Sequence, residues 1–184
     1  YPGVGWIIWR NQEALPEELI FKVNYLGGEM PTFSLNFSRP GSQVVAQYYN
    51  FLRLGKDGYR RIHQASQEVA LYLSGKLAGY EEIELISDGS DIPVFAFRMT
   101  EAAEKSTNYT VFDMSERLRD RGWQLPAYTF PKNCEHIAAL RVVVKEGFNR
   151  DLADLLLGDF ERHLEWFKTH PEHKPRKSGH SFRH

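Results

Sequence analysis

From Gln43 onward the chain carries Val44, Val45, Tyr48, Tyr49, Phe51 and Leu52 within one ten-residue window. Wound at 3.6 residues per turn, these positions leave a helix apolar nearly all round. Such a helix needs cover on most sides, from a core or from a second subunit. The segment before it alternates: Phe33, Leu35 and Phe37 fall on one side of an extended strand, Ser34, Asn36 and Ser38 on the other. Arg39-Pro40-Gly41 ends that strand, and Ser42 stands where a helix N-cap belongs. A strand ending in polar side chains just before a helix start is where open α/β folds bind ligands.

The rest divides into further elements. Gly5 to Arg10 reads as a short strand buried on both faces, and Leu15 to Phe21, with Pro16 and Glu17-Glu18 in its first turn, as a helix. Ile62, Ala65, Val69, Leu73 and Leu77 recur at helical spacing between Gly58 and Leu77. Beyond Gly79 two strands, 83–86 and 93–98, flank a Ser-Asp-Gly-Ser turn, and Glu101 to Asn108 reads as a polar loop. Asp113 with Glu116 suits a helix start, and Gly122 its stop. Pro126 marks an edge strand over 124–129, while Ile137 to Val144 is a clear strand. Asn149 caps a last helix with the stripe Leu152, Leu156, Phe160, Leu164 and Phe167. From Thr169 the tail turns polar and reads as mobile.

A net charge of −1 gives no general reason to bind nucleic acid or anionic membrane. No apolar run approaches the roughly 20 residues of a membrane-spanning helix. The single Cys134 has no partner for an internal disulfide, so a cytoplasmic location is expected. No glycine-rich dinucleotide fingerprint, CxxC or HExxH occurs. The His-rich tail pairs His180 with His184 but offers no third rigid ligand, so no metal site is expected. Opening on Tyr1 without an initiator Met, the chain reads as the carboxyl-terminal piece of a longer polypeptide.

Several motifs, met in order, carry a resemblance. They are Gly5-Trp6-Ile7-Ile8-Trp9-Arg10, Asn36-Phe37-Ser38-Arg39, Gln47-Tyr48-Tyr49, Leu54-Gly55-x-x-Gly58-Tyr59, Leu118-Arg119-x-x-Gly122-Trp123-Gln124, Leu140-Arg141-Val142-Val143 and the closing Ser181-Phe182-Arg183-His184. Together they resemble glutamate decarboxylases that use pyridoxal 5'-phosphate (PLP). The resemblance implies a fold-type I architecture of mixed α/β and α+β class. Residues 1–65 would end the PLP-binding large domain, 66–168 would form the small carboxyl-terminal α+β domain, and 169–184 a tail.

It implies conversion of L-glutamate to 4-aminobutyrate and CO₂ by a homodimer or larger homo-oligomer. No catalytic residue is assigned within the chain, because the family's Schiff-base lysine precedes the Gly-Trp strand and so lies upstream of Tyr1. The piece alone should be inactive. Arg141 resembles the arginine that binds the substrate carboxylate. Phe37 and Ser38 resemble residues at the substrate and cofactor-phosphate pocket of a neighbouring subunit, and His184 a terminal histidine that plugs the active site as pH rises. The rival reading is a non-catalytic binding or regulatory module. Calmodulin is a poor partner for it, since Pro171 and Pro175 interrupt the tail.

Overall fold

The computed structural model describes residues 3–23, 27–28, 30–32 and 40–176. The chain divides into two compact units, Tyr1–Tyr59 and Arg60–His184.

In the first unit, Asn11 caps a 3-10 turn at Gln12–Ala14, its side chain accepting from the Ala14 amide at 3.1 Å. A second such turn at Glu17–Leu19 leads into β1 (Phe21–Val23), which pairs antiparallel with β2 (Met30–Thr32). Residues 15–21 are thus a turn and a strand start rather than a helix. Residues 5–9 are irregular, not a strand, and Ile8 is 89% exposed. They lie beside the helix that follows: the Gly3 amide donates to Gln43 Oε1 at 2.7 Å, and the Trp6 indole donates to Gln47 Oε1. A strand of this kind needs a neighbour for its ladder, and among the described residues none pairs with it. The alternating segment 33–38 lies outside the described residues.

The helix α1 (Gly41–Leu77) begins one residue before the expected cap and has non-helical backbone at Gly55 (φ 57°, ψ −173°). That conformation lies in the left-handed half of backbone space, where a side chain meets its own carbonyl and glycine does not. Its first turns leave Val45, Tyr48, Tyr49 and Leu52 exposed. No large apolar side chain of the first unit is buried among the described residues.

The second unit has a proper core. Strands β3 (Ile83–Ser87), β4 (Val94–Met99), β5 (Ala127–Thr129) and β6 (Ala138–Val143) form an antiparallel sheet in the order β3-β4-β6-β5. Pro126 thus precedes an edge strand, as its missing N–H requires. Three more helices complete the unit: α2 (Glu101–Ser106), α3 (Val111–Asp120) and α4 (Arg150–Thr169). The polar stretch after Met99 therefore folds, because Thr100 caps it by accepting from the Ala103 amide. Thr110, not Asp113, caps α3; Asp113 closes a capping box from the third helical position.

One sheet face is covered. Phe95, Phe97, Leu140 and Val142 meet Leu118 of α3, the Leu156, Phe160, Leu164 and Phe167 stripe of α4, and Leu73 of α1. Each fully buried side chain of this size contributes roughly 1.5–3 kcal/mol. Residues 170–176 do not trail away. His173 Nε2 sits 3.0 Å from an Asp113 carboxylate oxygen, the Arg176 amide donates to Asp113 at 3.1 Å, and Asn108 Nδ2 donates to the His170 carbonyl at 2.7 Å. This return strap corrects the expectation of a mobile tail for those seven residues.

Candidate substrate-anion site on the open sheet face

Side chains alternate along β6, so the two positions that flank Arg141 point into the core. Leu140 is fully buried and Val142 nearly so. Arg141 must then point to the opposite, uncovered face, where it is exposed. Across the ladder its partner is Ala96. The next outward residue along β6 is Ala139, which faces Tyr128 of β5. Two methyl side chains thus flank the arginine, and both are covered by their neighbours, Ala139 fully. The Arg141 amide is held by the Pro126 carbonyl at 3.0 Å, and the guanidinium lies 5.9 Å from the Tyr128 ring centroid.

The nearest charges on this face satisfy one another. Arg98 and Glu84, opposite each other on β4 and β3, form an ion pair at 2.8 Å. Among the described residues no carboxylate pairs with Arg141. An exposed planar guanidinium whose fork meets no carboxylate among the described residues is suited to take a carboxylate or phosphate in two parallel hydrogen bonds.

Arg141 is the one candidate site residue that the structure describes. Phe37, Ser38 and His184 lie outside the described residues. The resemblance pointed to Arg141, but not to Ala96 and Ala139 as its flanks; those depend on strand register, which a single strand does not reveal.

The other buried polar groups of this unit hold helices together. Asp159 of α4 accepts from the Trp123 indole at 2.8 Å and from Arg121 Nε at 3.1 Å, and also pairs with Arg162. Burial pushes its carboxyl up, but the Trp123 and Arg121 hydrogen bonds and the two guanidinium charges outweigh that and hold it below the usual carboxylate range. His163, one turn on, accepts from Arg117 Nε at its Nδ1. Burial, with the Arg117 charge next, pushes this imidazole below its ordinary value.

Similar proteins agree with the fold and with the residue pattern. Residues 1–100 match the pyridoxal-dependent decarboxylase conserved domain. A glutamate decarboxylase from Aliivibrio fischeri is 53% identical over 170 residues, which is 92% of this chain and 36% of that protein. The solved glutamate decarboxylase of Lactobacillus brevis superposes with a TM-score of 0.75 at 40% identity, over 86% of this chain and 36% of that one. A sphingosine-1-phosphate lyase from Burkholderia pseudomallei shares the fold at 20% identity, with a TM-score of 0.68 over 88% of this chain and 33% of its own. The chain thus spans about a third of the length of the relatives it matches. With more than half of its residues inside the conserved domain, the chain belongs to the pyridoxal-dependent decarboxylase family.

Proposed function

We propose that this chain is the carboxyl-terminal part of a glutamate decarboxylase that converts L-glutamate to 4-aminobutyrate and CO₂ in the cytoplasm. The observation that carries the reading furthest is the exposed Arg141 guanidinium, beside Ala96 and Ala139, with no carboxylate partner among the described residues. High identity to proteins named glutamate decarboxylase supports the choice of substrate.

In this reading residues 1–65 end the large domain, 66–168 form the small domain and 169–184 the tail. The donor set on the open sheet face fits the anionic groups such a reaction presents. Arg141 grips a substrate carboxylate with both arms of its fork and fixes the direction of the bond to be broken, a gain in orientation rather than in bond making. PLP, when bound, supplies the electron sink for the pair left as CO₂ departs. Ser38 and Phe37 belong to the cofactor and substrate pocket of a neighbouring subunit in a homodimer or larger assembly, and His184 closes the site as pH rises. The lysine that anchors the cofactor belongs to the part of the polypeptide before Tyr1, so this piece alone releases no CO₂ from glutamate.

The test is Arg141→Ala in the whole enzyme, beside Arg141→Lys. A charge-assisted fork contributes about 1.5–3 kcal/mol, or roughly a 10- to 150-fold fall in kcat/KM for glutamate. Lysine, a point charge without the fork, should recover only part of that. Unchanged kinetics in Arg141→Ala would remove this residue from the site.

A further inference from the structure

Tyr128, the middle residue of the short edge strand β5, lies on the same sheet face as Arg141. The ladder sets it directly opposite Ala139, and Arg141 is two residues along β6 from Ala139. Tyr128 and Arg141 are therefore diagonal neighbours, a spacing that aromatic and long side chains can bridge. They do bridge it. The Arg141 Cζ atom is 5.9 Å from the ring centroid, within the roughly 6 Å over which an aromatic face attracts a cation.

The ring itself is held in place. Phe130, two residues on, stacks parallel to it with centroids 6.1 Å apart and planes 7° apart. The backbone is tied at both ends of β5. The Phe130 amide donates to the Ile137 carbonyl at 2.9 Å, and the Arg141 amide to the Pro126 carbonyl at 3.0 Å. Ala139 has no exposed surface, so side chains beside it close over its methyl, and Tyr128 is the one that faces it.

The two guanidinium groups of this face are thus held by different means. Arg98 is held by the Glu84 carboxylate at 2.8 Å, which occupies its donors. Arg141 has a ring beside it instead, and a cation–π contact needs none of the N–H donors that lie in the guanidinium plane. An exposed arginine otherwise samples many rotamers, and a ligand that needs one of them must order it on binding. A fixed ring removes part of that freedom beforehand and leaves the fork open.

We propose that Tyr128 is a positioning residue for the substrate carboxylate: its ring holds the Arg141 guanidinium where the fork can receive that group. The role rests on the reading of Arg141 as the carboxylate-binding residue; the contact between ring and guanidinium does not.

The contact is tested by NMR on the 184-residue chain. The Arg141 side-chain protons should show an upfield ring-current shift in the native chain and in Tyr128→Phe, and lose it in Tyr128→Leu. The role is tested in the whole enzyme by steady-state kinetics on glutamate. Tyr128→Leu should raise KM about two- to fivefold with kcat kept, the worth of an exposed cation–π contact. Tyr128→Phe keeps the ring face and should stay near the native KM. In an Arg141→Ala background, Tyr128→Leu should have no further effect. The proposal is overturned by the absence of a ring-current shift at Arg141, by an unchanged KM in Tyr128→Leu, by an equal rise in Tyr128→Phe, or by a full rise in the Arg141→Ala background. Native kinetics in Arg141→Ala, with the ring-current shift of the native chain present, would instead overturn the reading of the site and the positioning role with it.

Discussion

Asp113 is the residue whose loss should cost the second unit most for the fewest atoms removed. Its side chain is 1% exposed, and it accepts from the Thr110 amide at 2.8 Å, His173 Nε2 at 3.0 Å and the Arg176 amide at 3.1 Å. The Thr110 hydroxyl lies 2.9 Å from both Asp113 and the Arg176 carbonyl, so its single proton serves one of them at a time. Asp113→Ala ends the capping box, worth about 1 kcal/mol. It also strands two half-buried backbone amides, at about 1–3 kcal/mol each. These losses overlap, so the expected total is about 3–5 kcal/mol. With a urea slope near 2 kcal/mol/M, the unfolding midpoint should fall by about 2 M. Asp113→Asn keeps one acceptor oxygen and should lose about half as much. Hydrogen exchange separates the strap from the cap: the Arg176 amide should exchange freely in Asp113→Ala while β6 stays protected. A midpoint shift under about 0.5 M, or an Arg176 amide still protected, would refute the role given to this carboxylate.

Two pH dependences follow from the α3–α4 contact. Asp159 is held below the usual carboxylate range, so its stabilisation is present above about pH 4 and is lost as pH falls through its lowered value. Urea midpoints across that range should fall in the native chain and flatten in Asp159→Asn. His163 is also pushed down, which for a base means that the unfolded chain takes up the proton first. Stability should drop as pH falls below about 6.5, and His163→Phe should remove that part of the slope. A slope of the same size in the variant would show that another group carries it.

What could be read without coordinates depended on how local the determining contact is. Asn149 was legible as a cap because the amide it serves is three residues away, and its side chain does accept from Leu152 at 3.0 Å. The strands at Ile83, Val94 and Ala138 were legible from apolar runs bounded by turn residues. Glu101 to Ser106 was missed because its charged residues mask a helix held by one cap and a single buried side chain, Ala103. Thr110 and Asp113 are both good capping residues within one turn, so the sequence alone does not choose between them. The strap at 170–176 could not be foreseen, since its polar residues gain their place only from Asp113, some 60 positions earlier. For the site, Arg141 was legible by resemblance alone; which side chains flank it is a property of three strands at once.

The strand order β3-β4-β6-β5 also has a consequence in time. The β3–β4 hairpin joins residues close in the chain, but the ladder from Val94 reaches Val143. On a ribosome the hairpin emerges first and waits, its β4 edge unpaired, while α2, α3 and β5 are made. That edge carries Phe95 and Phe97, and an apolar edge without a neighbour is open to pairing with another chain. Slow elongation between residues 100 and 138 should therefore promote aggregation, and the arrival of β6, not the closing of the hairpin, ends the hazard.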